Sequence, residues 1–117
     1  MTILNVSNSK KPVHLKGQLV DTQTRCRHYH SALDIIAIKF KCCDIYFPCY
    51  KCHLELESHD IIRWNKLDLK AEKVILCGSC SNLLYYQEYS ANDNKCLYCS
   101  SDFNPNCSLH YGLYFDI

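Results

Sequence analysis

Ten cysteines in a chain of 117 residues constrain this fold more than any other feature, because soluble chains ordinarily carry far fewer. A chain of this length buries only a modest core, and covalent or metal cross-links commonly supplement it. The cysteines are therefore either disulfides of a secreted domain or metal ligands in a reducing compartment. The segment from Met1 to Val20 is polar and has no apolar run or cleavage site of the secretory kind. No apolar stretch is long enough to cross a bilayer, so no membrane association is expected. Spacing then decides. Three C-x-x-C pairs with interleaved histidines suit tetrahedral coordination of Zn²⁺ by thiolate and imidazole, and a disulfide framework has no use for histidines at such offsets.

The C-terminal half carries the most specific signal. Cys77-x-x-Cys80 is separated by 15 residues from Cys96-x-x-Cys99, a zinc-ribbon spacing. Each tight knuckle presents two sulfurs, and two facing knuckles complete a closed tetrahedron of four thiolates. Gly78, inside the first knuckle, is expected to supply unusual backbone angles.

The N-terminal half holds eight further candidates, enough for two four-coordinate sites: Cys26, His28, Cys42, Cys43, Cys49, Cys52, His53 and His59. Cys49 and Cys52 form one knuckle, most simply completed by Cys26 and His28. Cys42, Cys43, His53 and His59 are left for the second ion. Adjacent strand residues point to opposite faces, so Cys42 and Cys43 could serve different ions. Sharing one ion, the favoured arrangement, requires the strand to end at Lys41. His53 and His59 are six apart, so an intervening helix must break before His59, or His59 arrives from a loop. Cys107-x-x-His110 also has ligand spacing. Either it joins His30 or His14 in a fourth site, or Cys107 is a buried core residue beside a hydrogen-bonded His110.

Between these motifs the chain reads as short elements. Asp34 to Lys41 is an Ile- and Phe-rich strand. His53 to Ser58 has helix formers, and Asp60 to Lys73, with the sole Trp64, reads as a connection between two halves. Lys73 to Leu76 is a second strand. Asn82 to Tyr89 is a short helix or a strand, and Leu113 to Phe115 an aromatic end strand. The expected architecture is a small, irregular, zinc-stabilised α+β fold. Residues 1–23 form a polar leader with one short strand. The zinc domain spans 24–114, with a two-zinc half over 24–60 and a four-cysteine, zinc-ribbon-like half over 73–102, and the aromatic tail covers 103–117. Loss of Cys77 or Cys96 is expected to damage mainly the second half.

Cys26-x-His28-Tyr29, Cys42-Cys43, Cys49-x-x-Cys52-His53, His59 and the two C-terminal knuckles together resemble the CHY-type zinc finger family from Thr24 to Tyr114. The resemblance implies three zinc ions, the number reached by counting ligands. Some members precede a RING domain in ubiquitin ligases. No room for a RING follows Cys99, so ligase activity is not expected. Stand-alone members, small bacterial proteins and fungal proteins linked to assembly of small Tim proteins, share the length and the tail Phe103-Asn104-Pro105-x-Cys107-x-x-His110-Tyr111, and are the nearer resemblance.

Charge argues against nucleic acid. The formal net charge is +1, and nine thiolates on three zinc ions would move it to about −2, with Lys and Arg scattered rather than clustered. No H-E-x-x-H or deaminase-type signature is present. The expected function is therefore a non-catalytic zinc scaffold that docks a protein partner, the alternative being a carrier of zinc or of thiol redox equivalents. The expected compartment is the cytoplasm, or the mitochondrial intermembrane space for a fungal chain.

Overall fold

The computed structural model describes residues 2–5, 12–104 and 111–116, with the backbone alone for 2–5, 12–14, 111, 113 and 116. In chain order the elements are β1 (Thr2–Asn5), β2 (Pro12–Leu15), β3 (Ile36–Phe40), β4 (Ile45–Phe47), α1 (Tyr50–Leu56), β5 (Trp64–Asn65), α2 (Lys66–Ala71), β6 (Ile75–Cys77), β7 (Leu83–Leu84), α3 (Tyr86–Ser90), α4 (Tyr111–Tyr114) and β8 (Phe115–Asp116). This is a small α+β fold in which short elements carry three Cys/His groups.

Six strands form one sheet in the order β1-β2-β4-β3-β6-β7. The central strand β3 is the Ile-rich segment, and its alternation sorts side chains onto two faces. Ile36, Ile38 and Phe40 join the main core with Phe47, Ile75, Leu84, Phe103 and Phe115. Ala37 points the other way into a smaller cluster with Leu15, Tyr46 and Leu76. The main core also contains Cys26, Cys49, Cys52, Cys77 and Cys96, so these candidate metal ligands are packed into the apolar interior. The polar leader contributes β1 and β2, an antiparallel pair that reaches the central sheet where Leu15 lies beside Tyr46.

Three local readings differ from the structure. The segment over 60–73 contains α2, started by a capping box in which Asn65 and Asp68 each accept from the other's backbone N–H. Asn82 to Tyr89 is both things in succession: β7 pairs with β6, and α3 follows. The end strand is shorter than expected. Tyr114 closes α4, while Phe115 pairs in parallel with Trp64. Trp64 in turn donates its indole N–H to the Lys39 carbonyl at 2.7 Å, tying this second, two-stranded sheet to β3. Cys107 and His110, the pair considered for a fourth ion, lie outside the described residues.

Candidate metal centres

The first quartet is assembled at the N-terminus of α1. Helix α1 starts three residues earlier than the sequence suggests because Cys49 is its N-cap, its Sγ accepting from the Cys52 N–H at 3.4 Å. Sulfur here takes the place usually held by a Ser or Asp oxygen. The C-x-x-C knuckle is thus the first turn of a helix. The segment carrying Cys26 is folded by backbone bonds between Gln18 and Arg27 and between Cys26 and Tyr29, and the Gln18 N–H ties it to Cys52 Sγ of α1. Arg25 holds that loop by bonding Asp21, Ser31 and Ala32. The result places Cys26 Sγ 3.6 Å from Cys49 Sγ, and His28 Nδ1 3.4 Å from both Cys49 and Cys52.

The second quartet gathers at the β3–β4 turn. Strand β3 ends at Phe40, one residue before the limit that sharing an ion demands. Asp44 N–H then closes onto the Phe40 carbonyl with Asp44 at φ 55. The turn breaks the strand alternation, so Cys42 and Cys43 serve one group, with sulfurs 3.8 Å apart. Helix α1 ends at Leu56, and His59 arrives from the irregular segment beyond it. Its Nε2 lies 3.2 Å from Nε2 of His53, which lies 3.2 Å from Cys42 Sγ. His53 is fully buried, stacked on Phe40 with ring centroids 4.5 Å apart.

The third quartet comes from two knuckles of matching construction. Ser81 and Ser100 each follow the second cysteine of a pair. Each has φ 62 and donates its N–H back to the carbonyl of the first cysteine. Cys77 Sγ stands 3.8 Å from Cys99 Sγ, and Cys80 Sγ 3.7 Å from Cys96 Sγ. Gly78 does not have a positive φ, contrary to expectation. It is needed for space: a Cβ there would lie 2.1 Å from the Gln23 carbonyl oxygen, and its N–H donates to the Ile35 carbonyl at 2.6 Å.

The structure thus brings together Cys26, His28, Cys49 and Cys52; Cys42, Cys43, His53 and His59; and Cys77, Cys80, Cys96 and Cys99. Within each group the donor atoms all lie within 4.8 Å of one another. Bond lengths test the fit. Around a tetrahedral zinc, two sulfurs are separated by about 3.8 Å, sulfur and nitrogen by about 3.5 Å, and two nitrogens by about 3.3 Å. The observed separations of 3.6–3.8, 3.2–3.8 and 3.2 Å match these. They are too long for disulfides, in which sulfurs approach to about 2 Å, and all nine described cysteines are free. The three groups of four are compatible with three zinc ions.

Electrostatics leads the same way. Close packing of sulfurs drives their proton affinities apart: contacts with Cys49 and Cys52 push the Cys26 thiol far down, while the same Cys26 contact pushes Cys49 far up. Burial, only partly offset by backbone N–H bonds, raises Cys77. Burial also acts to raise Cys99, but bonds from Ser101, Cys96 and Cys80 outweigh it and hold that thiol down at about 6. Several thiolates within about 4 Å repel one another without a cation among them, and a divalent ion removes that penalty. Burial and then the neighbouring His59 lower His53, keeping it in the neutral form a metal requires.

Residues beyond the twelve also hold the site. Glu55 Oε1 lies 2.7 Å from His28 Nε2, orienting the ring so that Nδ1 faces the sulfurs. Glu55 falls three residues after Cys52, hence on the same side of α1; that offset was the available signal, and ligand counting passed over it. The Gln18 N–H reaches Cys52 Sγ, and the Asn82 amide reaches Cys80 Sγ.

The family model described as CHY zinc finger matches residues 26–89. The chain is 48% identical to Helper of Tim protein 13 of Saccharomyces cerevisiae over 101 residues, covering 85% of this chain and 87% of that protein. It is 44% identical to Helper of Tim protein 13 of Kluyveromyces lactis over 99 residues, 85% of each chain. An uncharacterised protein of Schizosaccharomyces pombe is 37% identical over 113 residues, 97% of this chain and 98% of that one.

Proposed function

Because the chain belongs to the CHY zinc finger family, we propose that it is a non-catalytic zinc scaffold whose folded surface docks a partner protein. Its twelve ligands are Cys26, His28, Cys49 and Cys52 for one ion, Cys42, Cys43, His53 and His59 for the next, and Cys77, Cys80, Cys96 and Cys99 for the third. One observation carries this reading: every quartet supplies four protein donors, all within 4.8 Å of one another. Catalytic zinc keeps a position open for water or substrate, and structural zinc does not.

The partner class rests on the relatives, two of which are named as helpers of a Tim protein. A Tim-type protein is the partner that fits, and the mitochondrial intermembrane space is the compartment that goes with it. No helix among the described residues is long and apolar enough to cross a membrane. Tyr98 and Leu97, half exposed at the tip of the second C-terminal knuckle, offer an aromatic and an aliphatic anchor on a zinc-fixed turn.

The test has two parts. Elemental analysis of protein purified without chelator should give about three zinc ions per chain. Immobilised zinc-loaded protein should retain a purified Tim-type protein that the zinc-stripped form does not. A single zinc, or a native fold after thorough chelation, would end the scaffold reading. Equal retention by loaded and stripped protein would end the docking role.

A further inference from the structure

The three quartets differ in how they are shielded and supported. In the first, all three sulfurs are buried, at 0, 4 and 0% exposure for Cys26, Cys49 and Cys52. In the third, Cys77 and Cys96 are buried, while the exposed Cys99 lies 3.3 Å from the Ser101 hydroxyl, which bonds Ser79 of the facing knuckle. In the second, only His53 is buried. Cys42 and Cys43 are half-buried, and His59 is exposed on a segment without regular structure.

Support around the donors follows the same order. The first quartet has Glu55 on His28, the Gln18 N–H on Cys52 and the Cys52 N–H on Cys49. The third has Asn82 on Cys80, the Tyr98 N–H on Cys96 and the Ser101 backbone N–H on Cys99. Among the described residues, the second receives only the Ile45 backbone N–H, on Cys43. The buried Nδ1 of His53 has no hydrogen-bond partner among them, so the outer support that holds His28 is missing there. Such outer partners each govern metal affinity by about 10- to 100-fold. The second quartet also supplies two thiolates, against three and four in the others, and thiolate is the softer, tighter ligand for zinc.

Resting on the scaffold reading above, we propose that Cys42, Cys43, His53 and His59 form an exchangeable zinc site, with His59 the arm that opens, while the other two ions are structural. Opening His59 frees one coordination position toward solvent. A competing ligand reaching that position would draw the ion from Cys42 and Cys43, while His53 is held by its stacking on Phe40.

The experiment uses the zinc-loaded full chain with a soluble chelator, followed by time-resolved native mass spectrometry. Thiols reactive before chelation are first blocked, which removes Cys107 from consideration if it is free. One ion should leave at least about tenfold faster than the other two. A pulse of iodoacetamide given at that stage should label Cys42 and Cys43 and spare Cys26, Cys49, Cys52, Cys77, Cys80 and Cys96. His59→Ala changes an exposed residue, so the chain should fold and hold two ions, with the fast phase gone. Release of all three ions at one rate would overturn the proposal. So would labelling of Cys26, Cys49, Cys52, Cys77, Cys80 or Cys96 in the fast phase, or a His59→Ala chain that keeps three ions and the parent's release rates. Should the parent chain hold a single ion before chelation, the scaffold reading itself falls. Three ions with uniform release removes only the exchangeable site.

Discussion

Ile36 stands directly opposite Cys77 across the antiparallel ladder of β3 and β6. The first ligand of the last quartet therefore sits in the same sheet as the strand leading to Cys42 and Cys43. The order of ligands along the chain suggests two halves, but the sheet and the main core run through both. Cys77→Ser should accordingly cost one zinc ion and destabilise the whole sheet. Loss of a metal belongs to the small class of changes exceeding about 4 kcal/mol. Hydrogen exchange should show protection lost over Ile36–Phe40 as well as Ile75–Cys77, with one melting transition rather than two. Retained protection in β3 alongside an unfolded second half would show that the ladder does not couple them.

Gly78 gives a sharper test of the same junction. Its missing side chain lets the Cys77 knuckle lie against the Gln23 carbonyl while its N–H bonds the Ile35 carbonyl. A methyl group there meets backbone, which has no rotamer to retreat into. Gly78→Ala should cost about 3 kcal/mol, the upper end for overpacking, and weaken zinc at the third site. Denaturant titration with zinc analysis checks both. Full stability in that variant would mean that the 23–35 loop yields easily.

Much of this was legible in the residues because zinc ligation is a short-range code. A C-x-x-C turn fixes two donors, and the count of remaining Cys and His fixes how many ions they fill. That is why the three groupings read from spacing coincide with those brought together in space. The readings that differed depend on partners distant in sequence. Gly78 looked like a turn glycine because its neighbour Gln23, 55 positions earlier, is invisible locally. The helix at Lys66–Ala71 was hidden because its amphipathic signal is a single buried Leu69. The end strand expected over Leu113–Phe115 begins only at Phe115, where Trp64 pairs with it, and the residues before it form α4.

Glu55 carries the next prediction. Its carboxylate fixes His28 by one short bond, on the ring nitrogen that faces away from the sulfurs. Glu55→Ala should leave the stoichiometry at three but lower the affinity of the first quartet about tenfold, the low end for an outer partner of a histidine ligand. Competition against a chromophoric chelator reads this directly. Glu55→Gln, which keeps an oxygen within reach of Nε2, should recover part of the loss. If both variants bind like the parent, the contact is incidental.

The last prediction concerns Tyr114, which joins the end of the chain to the start of the first knuckle helix. Its hydroxyl accepts the Tyr50 backbone N–H at 3.0 Å, 64 positions away. Tyr50 opens α1, so this N–H is one of the orphan donors at a helix start, and Cys49 Sγ is already occupied by the Cys52 N–H. Tyr114 is buried and its ring packs edge-on to Phe40, so Tyr114→Phe keeps the ring contact and removes the hydroxyl that accepts from Tyr50. The half-buried Tyr50 N–H then loses that acceptor, at a cost of about 1–2 kcal/mol. Urea titration should show the midpoint falling with the slope unchanged, since the surface exposed on unfolding stays the same. Zinc content should stay at three, because all twelve ligands remain. Phe115→Ala removes a buried ring from the same tail and should cost about 3–5 kcal/mol, which ranks the tail's packing above its hydrogen bond. A Tyr114→Phe midpoint equal to the parent's would mean that water replaces the hydroxyl at Tyr50, and the tail would then hold the first zinc helix through ring packing alone.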